Sequence, residues 1–267
     1  MVEIIEYVGL ACLPLFIVLD VVYRHRKFET TRAWRLRALS VTIFTFAFSV
    51  GITLFWGRLL AGRSLVDGSS LGIAGGAVVG ILVYQLIRYW YHRTAHRSDL
   101  LWRWAHQMHH SAESVDAFGA YYLHPVDTFF FTTWSSLVFF PLLGLRPEAG
   151  AIGGAFLVFK AMFQHANIKT PRWIGYIIQR PESHGVHHER DVHKYNYSDL
   201  PLWVMLFGTF CNPHAWEGEA GFYKGASSRV GSMLIGRDIS SAPNGGGGVF
   251  VAKNQGSVVG AGAHRAA

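Results

Sequence analysis

Cysteine is nearly absent: Cys12 and Cys211 are the only two in 267 residues. That scarcity excludes a disulfide scaffold and any zinc or iron–sulfur site built on cysteine. Charge is scarce as well. Asp, Glu, Lys and Arg make up 15% of the chain, where an ordinary soluble domain carries about 25%. Apolar residues reach 51% and aromatics 15%, which excludes a mostly disordered chain, since that needs low hydrophobicity and high charge. No internal repeat is present. What the chain does have is long apolar runs, a net charge of +7 and 14 histidines.

A bilayer span needs about 20 mostly apolar residues in a row, and five stretches approach this. Ile4 to Tyr23 holds two acids and one proline, and Ala38 to Gly57 holds no charge. Leu71 to Tyr91 has Gln85 and Arg88 near its end. Val126 to Leu145 begins with one acid, Asp127, and Ala149 to Ala166 contains Lys160. Only Arg146, Pro147 and Glu148 separate the last two, so they are expected to form a tight hairpin, either crossing fully or re-entering. The first stretch has Glu3 and Glu6 where a signal peptide has basic residues, and it reads as a retained anchor. The expectation is an all-α integral membrane bundle of four to five transmembrane or re-entrant helices.

The basic residues orient it. Arg24, Arg26, Lys27, Arg32, Arg35 and Arg37 lie between the first two spans, which puts that segment in the cytoplasm. The segments around 92–124 and from Ile168 onward then fall on the same face. Gly72, Gly76 and Gly80 recur every fourth residue, a pattern that lets membrane helices approach closely. The domain is expected to cover 1–224. The Gly/Ser-rich stretch 225–267, with Gly245 to Gly248 in a row, reads as a disordered tail, and His264 lies within it.

Eleven of the 14 histidines lie between residues 92 and 200. His92 and His96 form H-x3-H. His106, His109 and His110 form H-x2-H-H, and His184, His187 and His188 repeat it. On a helix, positions i, i+3 and i+4 share a face, so each cluster is expected to aim its imidazoles at one point. Chance would produce H-x2-H-H about 0.04 times in a chain of this composition. Gln85, Arg88, His92 and His96 form a polar stripe leading from the third span to the first cluster. Such groups face the bundle interior or mark a pathway, unless Arg88 snorkels to the headgroups.

His124 precedes Pro125, a favoured first helical residue, and His165 closes the hairpin. Both are candidate ligands level with the clusters, and His193 is a weaker one on a loop. His25 and His214 read as surface residues. Eight to ten imidazoles exceed what one ion takes and suit two metals with open positions; imidazole accepts zinc, copper, iron or nickel. Asp99, Glu113, Asp116, Glu182, Glu189, Asp191 and Asp199 are candidate acceptors for the second ring N–H of the ligands. The Glu-x-x-His motif of soluble di-iron bundles is absent. Thr170 and Pro171 suggest the start of a short amphipathic helix over 173–179. Trp102, Trp104, Tyr121 and Tyr122 would suit an interfacial belt.

With these motifs, residues 75–212 resemble the fatty acid hydroxylase and sterol desaturase superfamily, most of all its bacterial members. His92, His96, His106, His109, His110, His184, His187 and His188 fall on that family's eight-histidine pattern. The segments around His124 and His165, Asn196 to Asp199 and Leu206 to Phe210 also look like family positions. The resemblance implies a di-iron centre with O2 as co-substrate, hydroxylating or desaturating a fatty acyl, sterol or polar lipid in an inner membrane. No flavin or haem motif and no cytochrome b5-like domain is visible, so it also implies a separate ferredoxin- or cytochrome-type electron donor. The residues alone leave two other readings: a membrane zinc hydrolase with Glu182 or Glu189 as general base, and a metal transporter. Nucleic acid is disfavoured because the basic residues flank spans, where they attract anionic headgroups.

Overall fold

The computed structural model describes residues 1–242. Helices are the regular structure of the described residues; the one β pairing among them is a lone bridge between Glu189 and Ala220. Helices α1 (Val2–Val22), α2 (Arg32–Leu59) and α3 (Gly72–Ala95) are each long and apolar enough to cross a membrane. Thr31 starts α2 by accepting a hydrogen bond from Trp34 N–H at 3.1 Å, satisfying one of the orphan donors of a helix start. Only 11% of the apolar window of α1 and 17% of that of α2 is buried. The apolar side chains of these helices mostly face outward, as a lipid solvent allows and water would not.

After α3 the chain makes a compact run: α4 (Asp99–Leu101), a π-helical turn Trp102–His106 and α5 (Gln107–His110). The expected hairpin follows as α6 (Pro125–Leu137), extended by a π-helical turn Val138–Leu142, and α7 (Pro147–His165). Its tip meets the connection between α2 and α3. Leu65 N–H donates to Pro141 C=O at 2.8 Å and Gly68 N–H to Leu143 C=O at 2.9 Å. The hairpin therefore extends as far along the bundle as α2 and α3 do. Helix α7 packs against α1 and α3, and α6 against α2.

Small residues allow this. A Cβ on Gly80 would sit 2.5 Å from a ring carbon of Phe139, and one on Gly76 3.1 Å from Ala149 Cβ. Both glycines of α3 thus pack as their spacing suggests. Gly72 does not join them: nothing lies within 4 Å, and its φ of +67° serves the turn into α3. At the other end, Asp20 of α1 accepts from Asn167 N–H at 2.9 Å and Ala117 N–H at 2.6 Å, tying that helix end to two loops.

The short helices α8 (Pro181–His188), α9 (Pro201–Leu206) and α10 (Val230–Leu234) cap the end of the bundle where α3 and α7 finish. Here the domain boundary expected at residue 224 shifts. Ala226, Met233 and Ile239 are fully buried in one cluster with Trp34, Trp102 and Tyr122. Tyr122 hydroxyl donates to Ser227 C=O at 2.6 Å, and Ile239 N–H donates to Gln107 Oε1 at 3.2 Å. Three apolar anchors suffice to fold a stretch whose glycine and serine content suggests a tail. Residues 243–267, with His264 and the glycine run, lie outside the described residues.

Two further expectations change. Thr170 does not cap a helix; its N–H and hydroxyl both donate to Glu182, at 2.8 and 2.7 Å, and a single 3-10 turn Arg172–Tyr176 replaces the helix over 173–179. Trp102 and Tyr122 are core residues, at 3% and 0% exposure, and leave Trp104 alone of the four strongly exposed.

Candidate metal centre

Nine histidines converge at this end of the bundle, in two groups. His92, His96, His106, His110 and His187 form one; His109, His165, His184 and His188 form the other. Within each, one ring nitrogen per residue lies within 4.8 Å of all the rest, and every member is buried. The groups adjoin, with the rings of His110 and His188 stacked at 4.3 Å.

Each H-x2-H-H cluster is split rather than aimed at one point. His106 and His110 go to the five-membered group and His109 to the other; His184 and His188 go to the four-membered group and His187 to the first. At 100° per residue, i+4 stands 40° from i, whereas i+3 stands 60° away on the opposite side. Two short helices carrying the same motif therefore exchange their middle histidines. The π-helical turn ending at His106 adds a backbone distortion of the kind common at functional sites.

The rings are held by their second nitrogens. A carbonyl or carboxylate only accepts, so the contacting Nδ1 must carry the proton and the Nε2 of the neutral ring is a lone pair. His92 Nδ1 donates to Tyr197 C=O at 3.0 Å, His187 Nδ1 to Tyr195 C=O at 2.8 Å, and His106 Nδ1 to Asp127 at 2.7 Å. In the second group His165 Nδ1 donates to Ala161 C=O at 2.8 Å. With both rings in the ligating, neutral form, the Nε2 lone pairs of His92 and His106 face one another 2.8 Å apart. His110 Nε2 stands 3.1 Å from His106 Nε2, and His184 Nε2 3.0 Å from His165 Nε2.

Facing lone pairs repel unless a cation lies between them. A metal–nitrogen bond of about 2.1 Å sets neighbouring ligand nitrogens about 3.0 Å apart at a right angle, so the spacings fit. The chemistry agrees: burial, with neighbouring histidines adding to it, holds His96, His109, His110, His184, His187 and His188 well below the usual imidazole value. Neutral imidazole is the ligating form.

His124 joins neither group. Its Nδ1 accepts from Val126 N–H at 3.1 Å, capping α6 just before Pro125. A helix start explains where its Nδ1 points. His193, the weaker candidate, lies beside the first group instead of within it, with its Nδ1 3.1 Å from His110 Nδ1. Burial pushes its pKa down to about 3. In the tautomer that leaves His110 Nε2 to ligate, His110 Nδ1 donates to it.

Most acceptors were not legible. The seven acids proposed for that role are occupied elsewhere or lack a contact to these rings: Glu182 takes Thr170 and Arg180, Glu189 takes Trp216 Nε1, and Asp199 takes Arg88, Lys160 and Gln85. Asp127, on α6, is the carboxylate that serves, and it also accepts from Tyr91 hydroxyl. The other acceptors are main-chain carbonyls: Ala161 on α7, and Tyr195 and Tyr197 on the loop after α8. On that loop Asp191, His193, Tyr195 and Asn196 all have positive φ, between +38° and +69°, a costly state for side-chain-bearing residues. Asn196 pins the loop, donating to Ser183 and Cys211 carbonyls and accepting from Cys211 N–H. The Asn196-Tyr-Ser-Asp199 segment could have signalled this, since asparagine tolerates the left-handed region.

The polar stripe of α3 faces inward. Gln85 and Arg88 are 0% and 8% exposed; Arg88 meets Asp199 at 2.7 Å and does not snorkel. A cavity of about 310 Å³ opens beside it between α2, α3, α6 and α7, reaching His109 and His165 of the four-membered group.

Residues 77–209 match the family model for fatty acid hydroxylase. The chain belongs to the fatty acid hydroxylase family. Its similar proteins include a very-long-chain aldehyde decarbonylase of Oryza sativa subsp. indica, 29% identical over 49% of this chain and 53% of that protein. A sphinganine C4-monooxygenase of Arabidopsis thaliana is 27% identical over 56% of this chain and 58% of its own length. An ornithine lipid hydroxylase of Rhizobium tropici is 29% identical over 51% and 42%. The chain thus spans about half the length of the curated relatives it matches. No solved structure matches it. The matched region holds all nine converging histidines, from His92 to His188.

Proposed function

We propose that the protein is a multi-pass membrane enzyme that uses O2 and two iron ions to hydroxylate, or desaturate, a C–H bond of a membrane lipid. His92, His96, His106, His110 and His187 would hold one ion, and His109, His165, His184 and His188 the other. His124 is left out because it caps a helix. Hydroxylation consumes the C–H substrate, O2, two electrons and two protons and yields the alcohol and water. The electrons come from a separate ferredoxin- or cytochrome-type donor. Bound iron would supply the O2 activation.

The residues do the rest. Tyr195 and Tyr197 carbonyls and Asp127 orient the rings. The cavity admits substrate from the level of the bilayer, and its protein walls limit water at the reacting carbon. The basic segment between α1 and α2 supports a cytoplasmic face for the histidine end, of an inner membrane if the chain is bacterial. Relatives named for action on sphinganine and ornithine lipid favour a polar lipid as substrate.

One observation carries this reading: nine buried imidazoles converge in two groups, and four of them, His92, His106, His187 and His165, turn their Nδ1 to an acceptor and their Nε2 inward. The zinc hydrolase reading loses its base, because Glu182 and Glu189 are both engaged away from the rings. Transport is disfavoured because both groups gather at one end of the bundle. The test is metal analysis of the purified protein with lipid mass spectrometry under 18O2. About two irons per chain and a product carrying one labelled oxygen, or lacking two hydrogens, support the proposal. Bound zinc with oxygen-independent turnover overturns it.

A further inference from the structure

The cavity that reaches His109 and His165 has an unusual wall for a lipid site. Two cationic side chains, Arg88 and Lys160, line it, and no acidic side chain does. Both are nearly buried, at 8% and 5% exposure. Behind them stands one carboxylate: Asp199, fully buried, meets Arg88 at 2.7 Å and Lys160 at 2.5 Å and also accepts from Gln85 Nε2 at 2.7 Å. One carboxylate thus serves two basic side chains. A buried charge without a full partner is costly, so an arrangement that keeps one is better explained by a ligand than by stability. Arg88 has five N–H donors; its guanidinium lies 5.1 Å from the ring of Phe131, another wall residue. Thr45, Ser49, Thr128 and Thr132 add hydroxyls along α2 and α6.

We propose that Arg88 and Lys160 form a subsite for an anionic oxygen group, a carboxylate or a phosphate, on the lipid that enters this cavity. The proposal rests on the lipid-oxidising reading above for the identity of that ligand as substrate. Geometry then sets where the lipid is held. Arg88 stands four residues before His92 on α3, and Lys160 five before His165 on α7. At 1.5 Å per residue those offsets are about 6 and 7.5 Å along the helix axes. The anionic group is therefore anchored about one turn from the histidines, and the carbons nearest the metal groups lie a few bonds from the polar end of the lipid, not at its tail.

The test is direct binding to the purified full-length protein in nanodiscs of zwitterionic lipid. Three probes share one chain and differ in head: palmitate, hexadecyl phosphate and hexadecanol. The subsite predicts that at least one anion binds tighter than the alcohol by about tenfold or more, the size of one charge-assisted hydrogen bond. Which anion wins distinguishes a free acid from a phospholipid-type head. Lys160→Met should remove most of that preference, read as the ratio of anion to alcohol affinity in the same variant, and Lys160→Arg should keep it. Equal binding of all three probes by the unaltered protein overturns the proposal without need of a variant, as does an undiminished preference in Lys160→Met. The two readings fail separately: anion preference with neither a hydroxylated nor a desaturated product sinks the oxidation and leaves the subsite, while oxidation without anion preference does the reverse.

Discussion

The two histidine groups differ in how firmly their rings are held. In the five-membered group, His92, His106 and His187 each donate a ring N–H to a fixed acceptor, and His193 backs His110. In the four-membered group, His165 has such an acceptor, while His109 Nδ1 and His184 Nδ1 are buried without a protein partner. That second group is also the one whose members, His109 and His165, line the cavity. The first is pre-oriented and enclosed; the second is less constrained and faces the ligand. The difference suggests a division of labour in which one group fixes its ion and the other adjusts as substrate enters. It also says that acceptors, more than ligands, distinguish two sites built from one residue type.

Removing a ligand from either group should have the largest effect. His106→Ala and His165→Ala are each expected to lower lipid oxidation by at least about a hundredfold, more than loss of an outer acceptor costs. Each should also take the iron content of the isolated protein from about two towards one. The comparison breaks if either variant keeps both ions, because the groups would then share ligands.

Asp127→Asn comes next and sharpens the contrast. The amide is neutral and can present its N–H₂ where the carboxylate accepted, so His106 loses its orientation. Metal affinity should fall by about 10–100-fold, and only in the five-membered group. A chelator titration of the purified protein should show one weakened step and one unchanged step. Two equally weakened steps would mean that the groups respond as a unit.

This asymmetry was only half legible in the sequence. The spacing of the histidines marks the ligands because metal binding needs a definite residue type at a definite helical interval. All eight histidines of the spaced clusters converge, and His165 joins them. Their acceptors are mostly main-chain carbonyls, and every residue has one, so no letter announces Tyr195 or Tyr197. Asp127 looked like a stray acid at the start of a span. His124 was ambiguous in the sequence because an N-cap and a ligand put the same residue before the same proline. The three long helices were readable from length and apolarity, whereas the folded segment 226–239 was hidden by its glycines and serines.

Acid should act on both groups with one sign. Burial keeps His96, His110 and His187 in one group, and His109, His184 and His188 in the other, neutral in the folded chain at values where an unfolded histidine is charged. Their folded pKa values lie below the unfolded value of about 6.5, so the unfolded state binds more protons below that pH. Stability is therefore present above about pH 6.5 and is lost as pH falls beneath it. Each such histidine contributes up to about 1.4 kcal/mol per pH unit. Thermal unfolding of metal-free protein between pH 8 and 5 checks the sign, and a midpoint independent of pH would contradict the buried neutral state. With metal present, the less braced four-membered group should release its ion at the higher pH.

The smallest effect on either group should come from a change that alters only the bundle. Gly80→Ala places a methyl 2.5 Å from Phe139 and 2.8 Å from Leu145, in the middle of the packing between α3 and the hairpin and away from every histidine. Overpacking of this kind costs about 1–3 kcal/mol, equivalent to about 2–4 °C in Tm per kcal/mol for a chain of this size. If local acceptors set the difference between the two groups, the variant melts earlier yet keeps both ions and an unchanged two-step chelation profile. If instead the steps move towards one another, bundle packing reaches the metal groups through α3 and α7, and the firmness of the five-membered group belongs to the helices rather than to the loop that carries Tyr195 and Tyr197.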